Sequence, residues 1–218
     1  MSDLETRARQ SRGESHPAIL DAATAILNAR GAGGGVVVDV GCGAGHLRAA
    51  LGHRPSRYIG VDAVRYGEFP FDAEFLLADL DGDDVPLGDD MADTVVALET
   101  IEHLENPHRF MRELTRIVRP GGTVLVSTPN QVSLLSLLTV VTKHRFNAFQ
   151  DRDYPAHRTA LLEIDLRRIA EECRLVRVET RFTARGRLPF MSVHYPRWLA
   201  RGFPRALSDN VLLVGQKA

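Results

Sequence analysis

Cysteine is scarce, with only Cys42 and Cys173 in 218 residues. Two are too few for a disulfide scaffold or a cysteine-rich metal site, and they suit a reducing compartment. No apolar run approaches the roughly 18 residues needed to span a bilayer. The start of the chain is polar and arginine-rich with no apolar core, which excludes a secretory signal peptide there. These absences predict a soluble, cytoplasmic protein. Charge of one sign is missing too: 27 Lys and Arg oppose 28 Asp and Glu, a net charge of −1. That balance gives no electrostatic case for nucleic acid. What remains is a chain long enough to bury one full core, with room for a small inserted cap. Met1 to Ser15 is charged, serine-rich and aperiodic, and is expected to fray as a flexible tail ahead of one domain over residues 16–218.

The informative stretch is Val36 to Leu47, VVVDVGCGAGHL. β-Branched residues run into an acid, and the run then breaks into glycines at alternate positions, which predicts a buried strand and a tight turn. Gly41, Gly43 and Gly45 let backbone approach a ligand where a Cβ would collide. A dinucleotide fold wants G-x-G-x-x-G with a pyrophosphate on the following helix. Here the pattern is Asp39-x-Gly41-x-Gly43-x-Gly45. It closes one residue early and sets a carboxylate where a pyrophosphate would be repelled and an ammonium or sulfonium held.

This stretch resembles the first motif of the class I S-adenosylmethionine-dependent methyltransferases. The resemblance implies a doubly wound, Rossmann-like α/β sheet of seven strands, mostly parallel with one antiparallel strand, in the order 3-2-1-4-5-7-6. It also implies S-adenosylmethionine (SAM) as cofactor, with Asp39 and the Gly41 to Gly45 loop, Cys42 included, on its methionine part. The strand RYIGVD, Arg57 to Asp62, ends in an acid at the distance where doubly wound folds place a ribose-binding carboxylate. Asp62, with Ala63 beside it, therefore takes the ribose, a feature that does not separate SAM from NAD. A third strand is expected over Glu74 to Leu80. In the resemblance Asp79 accepts from the adenine amino group, with the Leu80 backbone nearby. The acids from Asp81 to Asp90 fail the EF-hand pattern, since position six of the loop is Asp84, and they read as a solvated loop.

Upstream of the glycine loop, His16 to Arg30 puts Ile19, Leu20, Ala23, Ile26 and Leu27 on one helical face. Downstream, Asp93 to Leu98 is strand four, Asn106 caps a helix running through Val118, RPGG stops it, and TVLVST follows as a strand. A helix over Ala160 to Cys173 offers Leu161, Ile164, Leu166 and Ile169 for burial. Leu175 to Thr183 and Asn210 to Gly215 are expected to form an antiparallel hairpin. The helix, RPGG turn and strand extend the resemblance over about Val36 to Asn130.

After strand four stands Glu99-Thr100-Ile101-Glu102-His103. In a helical turn, Glu99 and Glu102 share a face and His103 joins Glu99. Glu99, Glu102 and His103, with His157 downstream, could ligate a divalent metal. His103 alone could serve as a general base. The third reading is a capped, partly solvated turn. Glu99 also falls at the edge of the cofactor seat. The E-x-x-E-H arrangement with a later histidine resembles the ubiquinone-pathway O-methyltransferases and the small-RNA 3′-terminal 2′-O-methyltransferases, where it would imply a metal on paired acceptor oxygens.

SAM arrives activated, so the acceptor pocket decides the function. Residues 131–159 begin with an apolar, helical stretch and continue into mixed aromatics and charges. They suit a lid over a lipophilic or aromatic acceptor, or a membrane-surface contact. Arg185 to Ala206 carries Phe190, Tyr195 and Trp198 among arginines and offers a second wall. The expectation is methyl transfer to an oxygen, less readily a nitrogen, of a small molecule. Its rivals are a metal-dependent RNA 2′-O-methyltransferase, an NAD(P) oxidoreductase and a noncatalytic SAM-binding module.

Overall fold

A computed structural model describes residues 13–189, 191 and 193–218; most of the expected tail, Met1 to Arg12, lies outside the described residues, as does Phe190. Seven strands form a single sheet: β1 (Gly35–Val40), β2 (Pro55–Asp62), β3 (Glu74–Leu77), β4 (Ala92–Ala97), β5 (Val118–Pro129), β6 (Leu175–Phe182) and β7 (Asn210–Lys217). Their order is β3-β2-β1-β4-β5-β7-β6, as the resemblance implies. The first five strands pair in parallel, and β7 runs antiparallel between β5 and β6.

Burial on both faces explains the apolar runs. Successive side chains alternate across a strand. Val37, Val96, Leu125 and Leu212 therefore pack with Ile19, Ala23 and Leu27 of helix α1 (Pro17–Ala29) and with Leu47 and Leu51 of α2 (His46–Leu51). Val38, Val95, Val124 and Leu213 pack with Phe110, Met111 and Leu114 of α3 (Pro107–Ile117). Leu166 and Ile169 of α5 (Glu163–Glu172) join that second layer. Between β5 and α5 lies α4 (Leu134–Lys143), and α6 (Arg197–Gly202) precedes β7. Among the described residues, no helix is long and apolar enough to cross a membrane.

Several boundaries differ from expectation for local reasons. β3 stops at Leu77, and Asp79 then folds the chain back: its Oδ1 accepts from Asp81 N at 3.0 Å and its carbonyl from Gly82 N at 3.2 Å. Helix α3 ends at Ile117, because Val118 already pairs with Ala92, so RPGG opens strand β5 rather than following a helix end. Helix α5 starts at Glu163, which leaves Leu161 buried ahead of it and turns Ile164 to solvent at 46% exposure. The acidic loop is held by arginines of α3: Arg109 pairs with Asp84 at 2.9 Å and Arg116 with Asp89 at 2.6 Å.

Asn106 is the cap that the sequence marks. Its side chain accepts from Arg109 N at 2.9 Å, with Pro107 in the first turn. Asn106→Ala should lower stability by about 1 kcal/mol, read as a lower denaturation midpoint at unchanged slope, while Asn106→Ser should restore it.

Candidate active site

The site sits beyond the carboxyl ends of β1, β2 and β4, where open α/β sheets bind ligands. Gly41, Gly43 and Gly45 all take positive φ, at 78°, 52° and 77°. At Gly41 a Cβ would collide with the Thr100 side chain, and at Gly43 with the carbonyl of Gly13. The loop is fixed from below, since Gly41 N and Cys42 N both donate to Val61 O, at 2.7 and 3.2 Å. Asp62 completes it: its carboxylate accepts from Gly43 N at 2.8 Å and from the backbone N–H groups of Ala63 and Val64. Burial nonetheless pushes its pKa up.

Asp39 lies behind the loop, 3% exposed, and accepts from the Tyr58 hydroxyl. Burial raises its carboxyl to about 7. The Cys42 thiol is likewise pushed well up by burial and by the Asp39 and Asp62 carboxylates, so it is no nucleophile. Two cavities open in front of these groups. One, about 280 Å³, is lined by Gly41, Cys42, Gly43, Asp62, Glu99 and His103 among others. The second, about 450 Å³, adjoins it and shares Glu99, Arg152, Asp153 and His157. Asp79 and Leu80 line neither cavity.

The segment between the expected tail and α1 is part of the site. Gly13 O accepts from Ala44 N at 2.9 Å, and His16 N donates to the Glu99 carboxylate. Residues 13–16 thus form a strap from the glycine loop to the end of β4. Glu99 itself has φ 50°, a backbone conformation uncommon outside glycine, and burial pushes its carboxyl up to about 7.

The turn after β4 is a 3₁₀ turn over Ile101–His103, so Glu99 stands outside it. Glu102 is fully buried, and neither of its carboxylate oxygens has a hydrogen-bond partner of normal geometry; the Thr128 hydroxyl beside it is also unpaired. Desolvation and the nearby Glu99 push its pKa well up. The Nδ1 atoms of His103 and His157 lie against backbone carbonyls, of Ala156 at 2.9 Å and Ala148 at 2.5 Å. With Nδ1 as the donor, Nε2 carries the lone pair in each ring, and the His103 ring also meets the Glu99 backbone. The two rings stand edge to face, 4.7 Å apart. Ligand atoms of Glu102, His103 and His157 all lie within 4.8 Å of one another, and Glu99 is not in that group. Burial and His157 push the His103 imidazole down to about 4, so it is neutral.

Residues 12–184 match a family described as a methyltransferase domain. The chain belongs to this family. It is a SAM-dependent methyltransferase. The ubiquinone biosynthesis O-methyltransferase of Pseudomonas entomophila (strain L48) is 34% identical over 119 residues, covering 48% of this chain and 49% of that one. The mitochondrial ubiquinone biosynthesis O-methyltransferase of Dictyostelium discoideum is 32% identical over 116 residues, covering 45% and 36%. The chain spans half or less of the length of these two relatives. Among solved structures, a SAM-dependent methyltransferase from Thermotoga maritima superposes with a TM-score of 0.67 at 18% identity, covering 98% of this chain and 92% of that one. The 1,6-didemethyltoxoflavin-N1-methyltransferase of Burkholderia thailandensis, with S-adenosylhomocysteine and 1,6-didemethyltoxoflavin bound, gives 0.60 at 18% identity, covering 92% and 78%. At these identities the structural likeness shows the fold.

In this methyltransferase the strap residues Gly13 to His16 carry no sequence pattern that marks them as site residues, since their role depends on the glycine loop they cross. Asp153 is equally silent, and Arg152, Arg185 and Arg187 show only as members of charged stretches. The burial of Asp39 has a measurable consequence. A carboxyl raised to about 7 holds its proton in the folded state, so the stability it contributes is complete below pH 4 and is lost as pH rises through 7. Cofactor-free wild type should therefore lose stability relative to Asp39→Asn between pH 4 and 8, by on the order of 3 kcal/mol. Urea unfolding across that range measures it, and parallel profiles for the two proteins would place the dependence elsewhere.

Proposed function

We propose that this methyltransferase moves the SAM methyl group to a hydroxyl oxygen of a small molecule seated in the 450 Å³ cavity. The observation that carries the reading is the meeting of Glu102, His103 and His157, of which His103 lines the smaller cavity and His157 lines both, with Glu102 buried behind them. A buried carboxylate with both oxygens unpartnered is costly by itself, and a cation is what would satisfy it. Two imidazoles, each with Nδ1 against a backbone carbonyl, are oriented as metal-binding histidines usually are. Glu102, His103 and His157 would therefore hold a divalent cation, which when bound supplies Lewis acidity to an acceptor hydroxyl. At a pKa near 4, His103 is a weak proton acceptor and a good neutral ligand, which favours this role over general base.

The remaining assignments follow from placement. The glycine loop, with Asp62 and its neighbour Ala63, lines or supports the smaller cavity and would hold the methionine and ribose parts of SAM. Asp39 would act from behind the loop as its buried support, tied to the Tyr58 hydroxyl. Asp79 and Leu80, in the turn after β3, would take the adenine. The residues 131–159 bring α4 and His157 over the larger cavity and serve as the acceptor lid. The names of the ubiquinone-pathway relatives support an oxygen acceptor.

Calorimetry with S-adenosylhomocysteine, followed by labelled-methyl transfer to a panel of catechols after chelation and after manganese or magnesium add-back, tests the reading. Tight product binding and turnover restored by metal are expected. Undiminished turnover in chelator removes the metal. Cofactor binding with no transfer to any hydroxyl leaves a binding module.

A further inference from the structure

We propose that the 450 Å³ cavity carries, on the wall that holds Arg185, a subsite for a carboxylate of the acceptor, with Arg185 as its recognition residue. The proposal deepens the acceptor reading of that cavity and rests on it. The larger cavity has a polar wall to which Thr183, Arg185, Arg187, His194, Asp209 and Asn210 contribute. Three carboxylates line the cavity, and each is already engaged. Asp209 takes Arg187 Nε at 2.9 Å. Asp153 accepts from Gln150 N at 2.9 Å and faces Arg152 at 3.6 Å. Glu99 accepts from His16 N. Arg152 and Arg187 thus each stand against an acid.

Arg185 is different. Its backbone is fixed, since the carbonyl accepts from Asp209 N at 3.0 Å, yet no ion pair or hydrogen bond engages its guanidinium among the described residues. The charge is felt nearby, where burial first and then Arg185, His194 and Arg187 hold the His16 imidazole below its ordinary pKa, with Asp209 opposing them. A guanidinium without an ion pair on a polar wall matches one negative charge, and its planar fork matches a carboxylate. With the reacting hydroxyl beside His157, the acceptor is a small hydroxylated carboxylic acid, its hydroxyl and its carboxylate held by different residues of the cavity. Gln131, 2% exposed with its Oε1 unpartnered, lines the cavity as well and accepts a second hydroxyl or N–H of the ligand.

Calorimetry on the protein saturated with S-adenosylhomocysteine compares 3,4-dihydroxybenzoate with its neutral amide, 3,4-dihydroxybenzamide. Wild type should bind the acid about tenfold or more tightly than the amide. Arg185→Gln should bring the two affinities together, Arg185→Lys should keep part of the preference, and the affinity for S-adenosylhomocysteine should stay the same in all three proteins. Equal binding of acid and amide by wild type overturns the subsite, as does a preference that survives in Arg185→Gln or the failure of the acid to bind. These outcomes are separate from loss of the acceptor reading, which is decided by labelled-methyl transfer to neutral catechols.

Discussion

Glu102→Met should give a protein that is more stable than wild type in metal-free buffer and has lost methyl transfer. The buried carboxyl lacks partners for both oxygens, and such a group costs about 1–3 kcal/mol in desolvation without return. A methionine of similar shape removes that cost, so the urea midpoint should rise by the equivalent of about 1–2 kcal/mol. A cation at 100 times its Kd stabilises wild type by about 2.7 kcal/mol, and this shift should vanish in the variant. Turnover should fall by at least about a hundredfold, the loss expected when a metal ligand is removed. Lower stability in metal-free buffer together with preserved turnover would assign Glu102 an ordinary structural role.

The second large effect belongs to the glycine loop. Gly41→Ala places a methyl against the Thr100 side chain at φ 78°. Thr100 cannot swing aside freely, because its hydroxyl donates to Leu98 O at 3.0 Å and lies 3.3 Å from Val40 O. Backbone strain and the clash together should cost about 2–4 kcal/mol of stability. Affinity for S-adenosylhomocysteine should drop at least about a hundredfold, since a shift of a few tenths of an ångström moves every N–H that faces the ligand. Gly31→Ala supplies the control. Its φ is 64°, but nothing lies within 4 Å of the added Cβ, so it should pay only the backbone cost of about 1–2 kcal/mol and keep full cofactor affinity. Equal cofactor binding by the Gly41 and Gly31 variants would deny the loop its role.

The fold was largely legible because its signals are local. Val36 to Val40, the alternate glycines and the Asn106-Pro107 cap each specify backbone geometry within a few residues, and strand order followed from the resemblance those residues carry. Boundaries failed where a side chain turned the chain unexpectedly, as Asp79 does after β3, or where pairing overrode a helix, as Val118 does with Ala92. The site was legible in its residue types and less so in its grouping. A helical spacing argument places Glu99 with Glu102 and His103, whereas the left-handed turn at Glu99 removes it from their group. His157 joins that group only across 53 residues of intervening chain from His103, and no periodicity reports such a contact. Arg185 is invisible for the same reason, since its importance lies in which acids have other partners.

With cofactor in the smaller cavity and acceptor in the larger one, as proposed, the strap over residues 13–16 would tie the two substrates together thermodynamically. Gly13, Glu14 and Ser15 line the smaller cavity, and His16 lines the larger one. A ligand that fixes this short stretch in either cavity has already met part of the ordering entropy for the other. Reciprocity then requires that cofactor tighten acceptor by the same factor as acceptor tightens cofactor. On that assignment a complete pair of substrates would be held more firmly than either one alone.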